Sequence, residues 1–123
     1  MHVEVLGISV DHPRDALAAT VATLANDYTS LDGLSMDFSP ADVLVNDDFI
    51  EPGYAVMTHG EQCAIETFAA REGIILDPVY TGRAAHGLLE LISHGGIAQD
   101  ERILFWHTGG GPALFAYAEQ WTK

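Results

Sequence analysis

An α/β fold, with a mainly parallel sheet and flanking helices, is predicted by two features of the chain. Short β-branched and apolar runs of the kind found in buried strands recur along it. They alternate with longer stretches of helical periodicity, and turn-forming residues stand between them. Residues 1–123 are expected to form a single domain, since 48% hydrophobic residues suffice for one core.

Residues 3–10, Val-Glu-Val-Leu-Gly-Ile-Ser-Val, read as the first buried strand. A helix then runs to about Asn26, with Asp11 as its expected cap and Pro13 near its first turn. Leu17, Val21 and Leu24 have the spacing of a face that covers a sheet. Residues 27–41 are rich in turn formers and read as a surface connection to a second strand at 43–46. The Pro-Gly punctuation in 47–54 marks a loop. A second helix is predicted from about Gly60 to Arg71, stopping before Gly73. Residues 74–76 are a compact apolar run leading into Asp-Pro-Val-Tyr-Thr-Gly at 77–82. A third helix is expected over 84–93, a strand over 102–107, and a last helix from about Ala113 to Glu119.

Composition narrows the function. Eighteen acidic residues against 5 basic ones give a net charge of −13, which argues against a nucleic-acid partner or an anionic membrane surface. The acids are spread along the chain, as on a solvated, self-repelling surface, and abundant aspartate with a single lysine suggests adaptation to high salt. No apolar run is long enough to span a membrane and no secretory leader is evident, so a soluble cytoplasmic protein is expected. The single cysteine, Cys63, allows no internal disulfide and reads as a buried inert thiol on a helix. The six histidines, at 2, 12, 59, 86, 94 and 107, are not expected to pair with a glutamate at i, i+4, and no metal site is expected. A Gly-x-Ser-x-Gly elbow is absent.

In parallel sheets, ligands bind beyond the carboxyl ends of the strands. Three loops qualify: 47–54, 77–82 and 107–111. The last is a glycine-rich turn that could offer backbone N–H groups to an anion, although it lacks a dinucleotide fingerprint and the lysine of a P-loop.

Two stretches carry more. Arg-Glu-Gly-Ile-Ile-Leu-Asp-Pro-Val-Tyr-Thr-Gly-Arg-Ala (71–84) and Ile-Leu-Phe-Trp-His-Thr-Gly-Gly-Gly-Pro-Ala-Leu-Phe-Ala-Tyr (103–117), with Gly53-Tyr54 ahead of them, resemble signatures of the D-cysteine desulfhydrase and 1-aminocyclopropane-1-carboxylate deaminase family. The resemblance covers nearly the whole chain. It implies the tryptophan synthase β-like fold, in which pyridoxal 5'-phosphate lies between two α/β domains, and it makes this chain the C-terminal, later part of the large domain.

By the same resemblance, Tyr54 and Tyr80 match two tyrosines that face the substrate in the deaminase branch. Thr81 stands where the family places the partner of the pyridine nitrogen, and Thr108, Gly109 and Gly110 match the loop beside the cofactor ring. The deaminase branch has glutamate at the position of Thr81, so threonine favours elimination of sulfide from a D-amino acid over cyclopropane opening. The family's lysine, which forms the Schiff base, and its phosphate loop are absent from this chain, and Lys123 lies in the wrong context to replace the lysine. The chain alone is therefore expected to be inactive, and the complete enzyme to be a homo-oligomer acting on a small amino acid. Uncovered apolar surface, with poor solubility or self-association, is also expected. An alternative is a non-catalytic module that holds a small anion at residues 109–111.

Overall fold

The computed structural model describes residues 3–121, which gather into two compact units divided between Glu51 and Pro52. The first unit contains β1 (Leu6–Ile8), α1 (Arg14–Leu31), a 3-10 turn (Pro40–Asp42) and β2 (Leu44–Asn46). The strands pair in parallel, Leu6 with Leu44 and Ile8 with Asn46, and α1 makes the crossover that a parallel pair requires. Among the described residues, the predicted parallel sheet is thus present with two strands.

Several details of this unit differ from the sequence reading. Asp11 does not cap α1; it pairs with its neighbour His12 at 2.6 Å. The N-cap position is Pro13, which has no side-chain hydrogen bond to give, and the free Arg14 N–H donates instead to Asp47 Oδ2 at 2.8 Å. Strand pairing brings Asp47, just beyond β2, to the positive end of α1, and the Arg14 N–H holds its carboxyl below the usual range despite the opposing effect of desolvation.

Helix α1 also continues through 27–31, residues expected to lie in a loop. Asn26 ties this last part of the unit together by donating to Phe38 O at 2.8 Å and accepting from Phe38 N at 2.7 Å. Thr29 Oγ1 donates back to Asn26 O. The buried face of α1 is Ala18, Ala22 and Thr29, while Val21 and Leu24 are exposed. Small side chains let a helix approach its neighbours closely, and the adjacent larger residues are then turned outward.

The second unit contains α2 (His59–Glu72), α3 (Thr81–Ser93) and a 3-10 helix (Gly111–Gln120). Helix α2 begins with a capping box, Thr58 Oγ1 accepting from Glu61 N while the Glu61 carboxylate accepts from Thr58 N. It ends at Gly73, whose φ of 67° is the left-handed stop that the glycine predicts. Its core is Ala64, Ile65, Leu76 and Ala85, with Phe68 and Phe105 packed against it at a ring separation of 5.5 Å.

Residues 102–107 do not form the expected strand. No ladder pairs them among the described residues, and Leu104 and Trp106 remain 82% and 78% exposed. A β-branched, apolar run has strand propensity, but a strand exists only where a neighbour accepts its backbone groups. The predicted last helix is present over 111–120 in 3-10 form, since apolar spacing alone does not distinguish i+3 from i+4 bonding.

Cys63 is exposed, not buried, with Sγ 3.5 Å from His59 Nε2. The helix turns its position outward while Ala64 and Ile65 take the core. The histidine expectation also fails. Glu90 on α3 lies between His86 and His94, the residue that caps the helix, 3.8 and 3.4 Å from them, and both are i, i+4 pairs. Among the described residues, no group of three or more His, Cys, Asp or Glu is placed to hold a metal ion. No helix among them is long and apolar enough to cross a membrane. His2 and Lys123 lie outside the described residues.

Candidate functional site

All six sequence-selected residues, Tyr54, Tyr80, Thr81, Thr108, Gly109 and Gly110, belong to the second unit. Of the three candidate loops, Tyr54, the 77–82 turn and the 107–111 turn are linked there by direct contacts, while Asp47 serves α1 in the first unit.

The organising group is Asp77, which the sequence reading did not select. It is fully buried, and its carboxylate accepts from the N–H groups of Val79, Tyr80 and Thr81 at 2.7–2.8 Å and from the Thr81 hydroxyl at 2.6 Å. Burial pushes its pKa up, but the Thr81 hydroxyl and these N–H groups together outweigh that and hold it below the usual carboxylate range. The Asp-Pro pair with threonine four residues on is a legible turn signal, because a short acidic side chain readily bonds to nearby backbone.

Thr81 is nearly as buried as Asp77. Its hydroxyl proton goes to Asp77 Oδ1 and its oxygen accepts from Asp77 N at 2.8 Å. With that proton committed, any further hydrogen bond to the Thr81 hydroxyl can only be one that it accepts.

Tyr80 and Tyr54 stand at the edge of this turn. Their hydroxyls are hydrogen-bonded to each other, either one being able to donate, and their rings meet edge to face with centroids 6.0 Å apart. Both stay accessible, at 51% for Tyr54 and 45% for Tyr80.

The 107–111 turn closes on the same place. Gly110 lies directly against the Asp77 side chain. The Gly109 N–H donates to His107 Nδ1 at 3.0 Å, which makes Nε2 the protonated nitrogen and lets it donate to Ile75 O at 3.0 Å. One backbone N–H needed by an anion site at 109–111 is therefore used inside the loop. Thr108, beside it, is exposed.

Glu61 and Arg83 were not selected from the sequence either. Glu61 was legible as the third residue of a capping box, but nothing local marks Arg83. Both are buried, 1% and 0% exposed, and Arg83 Nε donates to Glu61 Oε1. The guanidinium also donates to Gly53 O at 3.2 Å and to Val56 O at 2.9 Å, the carbonyls on either side of Tyr54.

As a test of fit to pyridoxal phosphate, the turn has two accessible tyrosines, an exposed Thr108 and open space at Gly109, while Thr81 is almost wholly buried and Gly110 is packed on Asp77. Small and hydroxyl-bearing residues of this kind are compatible with a flat aromatic ligand. Residues 3–121 contain no lysine, so covalent attachment to the described residues is not available.

No family model matches the chain. Among curated proteins it is 38% identical over 117 residues to a D-cysteine desulfhydrase of Yersinia enterocolitica, covering 95% of this chain and 35% of that protein. It is 34% identical over 115 residues to a Schizosaccharomyces pombe protein named "Probable 1-aminocyclopropane-1-carboxylate deaminase", covering 94% of this chain and 34% of that one. A solved structure of an ACC deaminase homologue superposes with a TM-score of 0.77 at 32% identity, over 94% of this chain and 34% of the other. The chain thus spans about a third of the length of the relatives it matches. Over that third, it is homologous to the D-cysteine desulfhydrases and ACC deaminases, the family its two signature stretches resemble.

Proposed function

We propose that the chain is the C-terminal third of a pyridoxal-phosphate enzyme that eliminates sulfide from D-cysteine, with residues 1–123 forming part of one large α/β domain. The observation that carries this reading is the pair of accessible tyrosines, Tyr54 and Tyr80, whose hydroxyls are bonded to each other at the edge of the Asp77–Thr81 turn.

Bound pyridoxal phosphate would supply the electron sink for loss of the α-proton. The residues of this chain would serve the ring and substrate side, and the lysine and phosphate loop would come from the remainder of the complete enzyme. In the overall change, D-cysteine and water give pyruvate, hydrogen sulfide and ammonia. Two phenols sharing one hydrogen bond can hold a proton between them and orient a substrate amino or carboxylate group. Gly109, where an added Cβ would meet nothing within 4 Å, would let backbone approach a flat ring, with Gly110 packed on Asp77 behind it. The exposed Thr108 hydroxyl has a proton to offer, whereas Thr81 has only a lone pair. A neutral partner at Thr81 makes a weaker sink than a carboxylate, one that suffices where the β-substituent leaves readily.

Cyclopropane opening is the second reading, motivated by the names of the Schizosaccharomyces pombe relative and of the solved homologue. The complete enzyme decides between them: sulfide and pyruvate from D-cysteine should form faster than 2-oxobutanoate from 1-aminocyclopropane-1-carboxylate, and the reverse order would overturn the choice. The isolated chain should catalyse neither reaction, and turnover by it would refute the proposed division of labour. Saturable binding of phosphate by the chain alone would favour the small-anion module instead.

A further inference from the structure

We propose that Arg83, backed by Glu61, is the positioning residue that sets Tyr54 against Tyr80. This rests on the reading of the two tyrosines as the substrate-facing pair, but its geometry stands apart from the reaction.

The loop carrying Tyr54 has little regular structure of its own and includes an unfavourable conformation. Ala55 has φ 59°, a left-handed value that is unfavourable for a residue with a Cβ. Such a conformation persists only where its surroundings over-determine it. Here the carbonyls of three residues are taken: Gly53 and Val56 accept from Arg83, and Ala55 accepts from the Tyr117 hydroxyl. Arg83 lies in the first turn of α3, three residues beyond Tyr80. One rigid side chain thus joins the backbone on both sides of Tyr54 to the helix that begins beside Tyr80.

The choice of residue supports a geometric role. A buried ion pair loses so much hydration that an apolar pair of similar volume often stabilises a core as well or better. What the apolar pair lacks is direction. The guanidinium fork divides its donors among a carboxylate and two carbonyls in fixed geometry, and Glu61, itself held by the Thr58 N–H at the start of α2, fixes the fork's orientation. A lysine ammonium, a point charge on a flexible stem, has no such planar fork.

The test uses the full chain labelled with ζ-13C tyrosine, with Tyr28, Tyr54, Tyr80 and Tyr117 assigned by single Tyr→Phe changes. In the parent, Tyr54→Phe should shift the Tyr80 ζ-carbon resonance, because it removes a hydroxyl bonded to that ring. In an Arg83→Lys background with unchanged circular dichroism, that response should be lost. An undiminished response would overturn the proposal. The same measurement on Glu61→Leu combined with Arg83→Met, which strands no charge, covers the case in which lysine is not tolerated. The parent itself gives a third readout: the Arg83 guanidinium protons should be protected from solvent exchange, and exchange at the rate of free arginine would overturn the proposal even if neither variant folds. None of these readouts involves turnover, so failure of the proposed reaction and failure of the positioning role are separable.

Discussion

Gly110 sits so close to Asp77 that a Cβ added to it would fall 2.5 Å from the Asp77 Cγ. The glycine-rich turn and the signature aspartate are therefore one packed unit, although 33 residues separate them in the chain. Gly110 also has φ 100°, which a side chain rarely adopts.

Gly110→Ala should accordingly destabilise the chain by about 1–3 kcal/mol, the usual range for forcing atoms into a filled space. Chemical denaturation compares it with Gly111→Ala, where a Cβ meets nothing within 4 Å. Equal stability of the two variants would contradict the contact.

Asp77 gives a pH-dependent prediction. Its folded pKa is depressed, so the unfolded chain takes up a proton first as the pH falls. The stability it contributes is full above the ordinary aspartate value, about 3.9, and disappears as the pH drops through the lower folded value. Asp77→Asn lacks that charge at every pH. The variant should lose about 2 kcal/mol at neutral pH, in the range for hydrogen bonds to a charged group, and the gap should narrow in acid. A gap that widened in acid would reverse the sign of the argument.

Cys63 should react with a thiol reagent in the native chain without denaturant, because its side chain faces solvent on α2. Labelling that required unfolding would mean that the thiol is covered.

The net charge of −13 predicts stability that rises with salt. Repulsion among dispersed carboxylates is screened within about 10 Å at 0.1 M ionic strength, so the thermal midpoint should climb from dilute buffer to molar sodium chloride. A midpoint independent of salt would argue against a high-salt adaptation.

Exposed Leu31, Leu104 and Phe115, each more than 80% accessible, predict concentration-dependent self-association of the isolated chain. Sedimentation velocity at increasing concentration checks this, and a single monomeric species throughout would refute it.

The sequence by itself determined whatever depends on neighbours in the chain. The parallel alternation of β1, α1 and β2, the limits of α2 with its glycine stop, and the placing of Tyr54 and Tyr80 in loops were all legible, because periodicity, caps and turn residues act over a few positions. The tertiary structure decided what depends on partners far away in sequence. Asp47 displaced Asp11 at the start of α1 because strand pairing carried it across 33 residues. The contacts of Arg83 with Glu61 and Gly53 span 22 and 30 residues and leave no local trace. Residues 102–107 show the same limit from the other side: their side chains favour a strand, but backbone groups become a strand only when another strand lies alongside to bond them.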